Sequence, residues 1–330
     1  MNTFGNNIRI TIFGESHGPV VGVTMDGVPS GLELDVNDFE ADIARRKPGA
    51  EGTTARHEQD LPRILGGLYE GHTTGAPLTM VFDNADIVDA HYDKFREIPR
   101  PGHADLTAMQ RYGGWNDPRG GGQFSGRMTL PIVAAGTVAK KILAMWAEDG
   151  SCSGIDMKAE VVQLGGSADR TAWKGLIEAA QAEGDSLGAV VECRAEVPAG
   201  LGDPFWNSVE SLLSHAVFSI PGVRGIEFGD GCASAAMRGS AHNDPIGEDG
   251  IPVKNGSGGC NGGITNGAPL LFRVAFKPTS SIARRQDTLN IATGQTESLE
   301  CGGRHDVCFA LRTPVVVEAV TALVLADLIY

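Results

Sequence analysis

The chain has 330 residues, 42% of them hydrophobic and 21% charged, and a formal net charge of -14. That is ample for a sizeable core, with no apolar run long enough to cross a bilayer, and the acidic balance excludes nucleic acid, whose phosphates need a basic face. The start, MNTFGNNIRI, lacks the basic-then-apolar order of a signal peptide and predicts a cytoplasmic protein. Cys152, Cys193, Cys232, Cys260, Cys301 and Cys308 form no C-x-x-C pair, so they read as buried thiols rather than zinc ligands or a disulfide scaffold.

In chain order, Arg9 to Phe13 alternates as a strand and runs into Gly14-Glu15-Ser16-His17-Gly18, after which Val20 to Met25 reads as a second strand. The pentapeptide fits the G-x-S-x-G nucleophile elbow, but an elbow needs a helix straight after the serine. Pro19 and a β-rich run follow instead, so the glycines are expected to make a turn holding His17 at a sheet edge. Asp35 caps a helix with Val36, Phe39 and Ile43 on one face, Arg45 and Arg46 in its last turn, and Pro48-Gly49 ending it. The arginines either compensate the helix dipole or point two guanidinium forks at a phosphate. Leu61 to Tyr69 and Pro77 to Phe82 read as strands about the turn Gly71 to Gly75, with His72 and His91 at the surface.

The segment Arg100 to Arg127 concentrates the chemistry. Arg100, His103, Asp105, Arg119 and Arg127 surround Gly120 to Gly122, a triple glycine able to turn sharply and offer N–H groups to an anion. Met128 to Ala147 then reads as a core helix. Strands follow at Ile155 to Leu164, Leu187 to Val197, Gly222 to Phe228 and Leu270 to Phe276, with helices at Thr171 to Ala182 and Phe205 to Val217, a glycine-rich stretch from Gly256 to Gly267, and a closing helix from Pro314 to Tyr330.

Val28-Pro29-Ser30-Gly31-Leu32 recurs as Val197-Pro198-Ala199-Gly200-Leu201, and the segment Thr73 to Leu78 recurs as Thr265 to Leu270. Two matches in the same order predict duplicated halves within one α+β unit covering 1–330. Later, Lys277-Pro278-Thr279-Ser280-Ser281 gathers donors for phosphate oxygens, and Arg304-His305-Asp306 places three functional groups side by side. If that last stretch is a strand, its parity puts Arg304 with Asp306 and turns His305 away.

The segments GESHG, RRKPG, RPGHAD, RGGG, GDSLGA, VPAGLG, GSAHND, KPTSSI and GRHD, in this order over almost the whole chain, resemble the chorismate synthase family. The resemblance implies a β-α-β sandwich core with an internal pseudo-twofold repeat, a homotetramer, and a shikimate-pathway lyase. That lyase converts 5-enolpyruvylshikimate 3-phosphate to chorismate by 1,4-anti elimination of phosphate, using reduced FMN without net redox change. By the same resemblance, His17 protonates the leaving phosphate, His103 stabilises the reduced flavin, and Asp306 helps remove the ring proton through the flavin N5. Arg45, Arg46, Arg100, Ser125 and Arg127 are expected on the substrate. FMN contacts are expected at Arg46, Gln123, Phe124, Ser125, Pro221, Gly222, Gly262, Lys277, Pro278, Thr279, Ser280, Ser281 and Arg304.

This chain departs from the family at Gln123-Phe124-Ser125-Gly126, where R-S-S-A is common, and at Glu51-Gly52, where a further arginine is missing and Arg56 is the nearest substitute. Gly222 stands where alanine is usual. No G-x-G-x-x-G fingerprint is present, which leaves open whether NADPH reduces the flavin on this chain or through a separate reductase. The alternatives to a lyase are a non-catalytic flavin-binding protein and a serine hydrolase using Ser16.

Overall fold

The computed structural model describes residues 2–49, 52–53, 60–85, 92–148, 150, 155–302 and 305–330, so Glu51, Arg56, His91, Cys152 and Arg304 lie outside the described residues. The first half holds β1 (Thr3–Phe4), β2 (Arg9–Gly14), β3 (Val20–Asp26), α1 (Glu40–Arg46), β4 (Arg63–Gly66), β5 (Leu68–Tyr69), β6 (His72–Thr73) and β7 (Leu78–Asp83), then α2 (Asp105–Tyr112) and α3 (Thr129–Glu148). The second half holds β8 (Met157–Leu164), α4 (Trp173–Ala182), β9 (Ala189–Ala195), α5 (Val209–Val217), β10 (Val223–Phe228), α6 (Gly239–His242), β11 (Cys260–Asn261), β12 (Ile264–Thr265) and β13 (Leu270–Phe276). The hairpin β14 (Gln286–Asn290) and β15 (Gln295–Leu299) and the closing α7 (Pro314–Ile329) complete the chain.

Two antiparallel sheets enclose the long helices. Their orders are β1-β2-β3-β7-β4 and β10-β13-β9-β8. Strands β9 and β13 alternate strictly, with Ala189, Val191, Cys193 and Ala195 facing Leu270, Phe272, Val274 and Phe276 on the buried side. Helix α3 packs on the first sheet, α7 on the second, and the two pack on each other. By composition Gly126–Glu148 is long and apolar enough to cross a bilayer, contrary to expectation; 78% of its apolar window is buried inside the fold, so the apolarity serves packing.

The contact is close because Gly136 leaves room for it: an added Cβ there would stand 2.3 Å from the Ala319 Cβ. Helix α7 is buried all round from Val315 to Asp327, including two carboxylates, each held by donors. Glu318 takes two bonds from Arg45, one from Lys140 and one from the Ala159 N–H. Asp327 takes the N–H groups of Asn6, Asn7 and Ile8.

The repeated motifs occupy equivalent places. Strand order β2-β3-β7-β4 maps onto β8-β9-β13-β10, α1 onto α5, and α3 onto α7. Even single hydrogen bonds correspond. Gly31 N–H donates to Thr73 O at 2.8 Å and Gly200 N–H to Thr265 O at 2.9 Å. The Thr73 hydroxyl donates to Pro29 O and accepts from Leu32 N–H, as the Thr265 hydroxyl does with Pro198 O and Leu201 N–H.

Three expectations need correction. The strand read from Leu61 to Tyr69 breaks into β4 and β5, because Gly67 adopts φ 84° and the register slips between Ile64 and Gly66. Helix α2 lies within Arg100 to Arg127, a segment for which no helix is expected. Cys232 is exposed, whereas Cys193, Cys260, Cys301 and Cys308 are buried, and burial pushes Cys193 up to about 12.

Candidate active site

The crossovers from β7 to α3 and from β13 to α7, together with the C-terminal ends of α1 and α5, wall a cleft of about 820 Å³. Equivalent parts of the two halves thus supply one site. Among the described residues, six cations, Arg46, Lys47, Arg100, Arg127, Lys277 and Arg312, line it against two carboxylates, Asp60 and Asp306, in a chain of opposite overall sign. His17, His103 and His305 face the same space.

His17 follows β2 in a turn that leads back into β3, and its ring meets Tyr92 edge-on at 5.0 Å. The triple glycine makes this geometry possible. Gly120, Gly121 and Gly122 all take positive φ, at 58°, 84° and 53°. A Cβ on Gly120 would lie 2.5 Å from His17 Nε2, and one on Gly121 would lie 3.4 Å from His103 Nε2. Besides turning the chain, these residues give two imidazoles clearance to approach backbone.

Arg46 and Arg127 come from opposite sides of Asp60. The Asp60 carboxylate lies 3.6 Å from Arg46 Nη1 and accepts from Arg127 Nη1, all three side chains being about 95% buried or more. Arg46 also donates to the Thr129 hydroxyl and Gly126 O, and Arg127 to Asn84. Two buried guanidinium groups thus meet at one carboxylate, a cluster of charged donors that suits an anion.

The opposite wall is a hydrogen-bonded cluster. Asp105 accepts from the Arg100 N–H at 3.0 Å, from its Nε at 2.8 Å and Nη2 at 2.8 Å, and stands 2.6 Å from His103 Nδ1. Arg100 Nη1 donates to the Ser281 hydroxyl at 2.9 Å, and the guanidinium lies over the Phe95 ring. Burial outweighs the Asp105 contact and holds His103 below its ordinary pKa. Lys277 donates to Gly102 O and to the Ser280 hydroxyl, and burial followed by repulsion from Arg224 lowers its pKa. Arg312 Nη2 holds the buried Asp306 carboxylate at 2.6 Å.

The cleft brings together His17, His103, Asp306, Arg46, Arg100, Ser125, Arg127, Gln123, Phe124, Pro221, Gly222, Lys277, Pro278, Thr279, Ser280 and Ser281. Arg45 is not among them. It is held by Glu318 at 2.6 and 2.7 Å on another face, so the expected pair of forks reduces to Arg46. Gly262 is also absent, lying exposed in the turn between β11 and β12. Arg100 reaches the wall, where its guanidinium donates to Asp105 and Ser281. Arg119 turns onto Asp117 instead.

Strand parity does not apply at 305–306, which form no strand, and His305 joins Asp306 in the cleft. Asp60, Tyr92, His305 and Arg312 were missed as site residues. Arg312 had one legible signal: it ends the short turn opening α7, as Arg127 lies in the turn opening α3.

A cationic cleft with histidines, built between two sandwiched halves, is the kind of site an enzyme offers a small molecule. A sequence model described as chorismate synthase matches residues 8–330. The chorismate synthase of Chitinophaga pinensis is 54% identical over 329 residues, covering 99% of this chain and 96% of that protein. That of Aeropyrum pernix is 44% identical over 351 residues, covering 99% and 92%. A crystal structure of chorismate synthase superposes with a TM-score of 0.73 at 26% identity, covering 98% of this chain and 92% of that one. The chain belongs to the chorismate synthase family, and its activity is that of a lyase in chorismate biosynthesis.

Proposed function

We propose that this cleft binds 5-enolpyruvylshikimate 3-phosphate beside reduced FMN and carries out the 1,4-anti elimination of phosphate there. The observation that carries the reading is the convergence of His17, His103 and Asp306 with six cations on one cleft. The substrate bears a phosphate and two carboxylates, which this charge suits. A volume of about 820 Å³ lies within the roughly 300–1,000 Å³ common for small-molecule sites.

The donor set also fits a flavin. Phe124, Phe218, Ile220, Pro221 and Phe309 offer an apolar wall for a flat ring, while Lys277, Ser280 and Ser281 offer donors for polar groups. Gly222 keeps the wall flat, since an added Cβ would meet the Phe309 ring at 2.2 Å. When bound, reduced FMN supplies electron density for C–O cleavage without net redox change. The chain does the rest. Arg46 and Arg127 hold the phosphate, His17 gives it a proton as it leaves, and Asp306, held by Arg312, helps remove the ring proton. Gln123 and Ser125 orient the ligands.

The same reading places the protein in the cytoplasm as a homotetramer, with exposed Tyr69, Phe205 and Trp206 as apolar surface for subunit contacts. NADPH is the source of reducing equivalents. Oxidation of NADPH by the purified protein with FMN identifies reduction on this chain, and its absence points to a separate reductase. Ser16 is disfavoured as a nucleophile: it is 1% exposed, and the chain turns from it into β3 instead of a helix. The test is anaerobic phosphate release with and without chemically reduced FMN. Release only with reduced FMN is expected; flavin binding without release would make the chain a flavin carrier and end the lyase reading.

A further inference from the structure

We propose that Asp105 is the positioning residue that locks His103 in one tautomer, with the proton on Nδ1 and the lone pair of Nε2 turned to the cleft. This rests on the cleft's proposed role in proton transfer. Two groups touch His103 Nδ1: Asp105 Oδ1 at 2.6 Å and Arg100 Nη2 at 3.1 Å. A guanidinium nitrogen can only donate and a carboxylate oxygen can only accept. If Nδ1 carried the lone pair, it would face the lone pairs of Asp105 at 2.6 Å, an arrangement that repels. With the proton on Nδ1, the short contact becomes a charge-assisted hydrogen bond, and Arg100 satisfies itself on the same carboxylate at 2.8 Å.

Asp105 is kept ionised in a site 7% exposed. Burial opposes its charge, but Arg100 and His103 outweigh burial and hold its pKa far below the carboxylate range. Its position in the first turn of α2 adds the favourable end of the helix dipole. The carboxylate cannot swing away, because three groups of Arg100 grip it and Arg100 is itself anchored on Ser281, 181 residues distant in sequence.

His103 therefore faces the cleft as a neutral proton acceptor. Asp105 stabilises the imidazolium formed when Nε2 takes a proton; Arg100, Lys277 and the neighbouring His305 oppose it. The balance makes His103 a group that exchanges a proton rather than one that holds a standing charge.

The test reads the tautomer directly. In the full-length protein without ligands, 15N-histidine NMR near pH 7.5, with His103 assigned through His103→Gln, is expected to show a protonated Nδ1 and a bare Nε2. In Asp105→Asn the Nδ1–H population is expected to fall, the titration of His103 to move to lower pH, and the acid limb of kcat/KM to move with it. The phosphate-release rate is expected to drop on the order of 10²-fold or more. A protonated Nε2 in the unaltered protein would overturn the proposal without any substitution. So would an Asp105→Asn protein whose tautomer and titration are unchanged. If Nδ1 carries the proton and no phosphate is ever released, the dyad stands and the reading of the cleft falls.

Discussion

Gly120 shows how far a single absent methyl group governs this site. With φ at 58° and His17 Nε2 at 2.5 Å from a notional Cβ, Gly120→Ala strains the loop and displaces the imidazole together. Turnover is expected to fall about as far as in His17→Ala, on the order of 10²–10⁴, with the fold retained by circular dichroism. Normal turnover in Gly120→Ala would show that His17 need not sit where it does. Arg46→Ala is expected to raise KM for the phosphorylated substrate by at least about tenfold, as loss of a charge-assisted contact of 1.5–3 kcal/mol would. Binding isotherms that match the unaltered protein would remove Arg46 from the clamp. That His17, Arg46 and Arg127 share a cleft was legible because each sits in a short motif whose neighbours set its local geometry. The use of Arg45 was not. Its partner Glu318 lies 273 residues away, and no local pattern tells a guanidinium at a helix end which carboxylate will come to meet it.

Elements were easier to read than their junctions. Alternation in β9 and β13 and the apolar run of α7 announce themselves, since period 2 and a uniformly apolar helix each imply one kind of burial. Helix α2 escaped because it has no side-chain N-cap and only eight residues, so glycine and proline on either side dominate the signal. The hairpin β14–β15 escaped for another reason: its strands are largely polar and exposed, and carry little hydrophobic period. The motif repeats were legible as sequence, though the matched hydrogen bonds of their threonines were not. What they could not show is that the two long helices meet at Gly136. Gly136→Ala would press a methyl group against the Ala319 backbone at 2.5 Å. The cost is expected at about 1–3 kcal/mol, less the small gain in helix propensity, and should lower the melting temperature by roughly 2–8 °C. An unchanged or higher melting temperature would mean that α3 and α7 do not pack this closely.

At the scale of the whole molecule, an acidic chain gathers cations where the two halves meet and pairs others, Arg45 among them, with carboxylates on another face. Glu318 is one of the neutralising groups, and its ionisation links folding to pH. Burial raises its pKa, but Arg45, the Ala159 N–H and Lys140 together bring it below the ordinary glutamate value. A depressed carboxylate stabilises the fold above its unfolded pKa, about 4.3, and that contribution disappears as pH falls through the folded value. Glu318→Gln is therefore expected to unfold more easily than the unaltered protein at pH 7, by about 1–3 kcal/mol in denaturant titrations, with the gap closing below about pH 4. A gap that persists at low pH would assign the loss to packing.

The most direct test is a crystal structure of the protein with FMN and 5-enolpyruvylshikimate 3-phosphate bound under anaerobic conditions. Both ligands are expected in the cleft between the halves, the phosphate within hydrogen-bonding distance of His17, Arg46 and Arg127, and the flavin ring against the wall that includes Gly222 and Phe309. Ligands seated elsewhere, such as the hollow beside Arg45 and Lys140, or a phosphate turned away from His17, would contradict it.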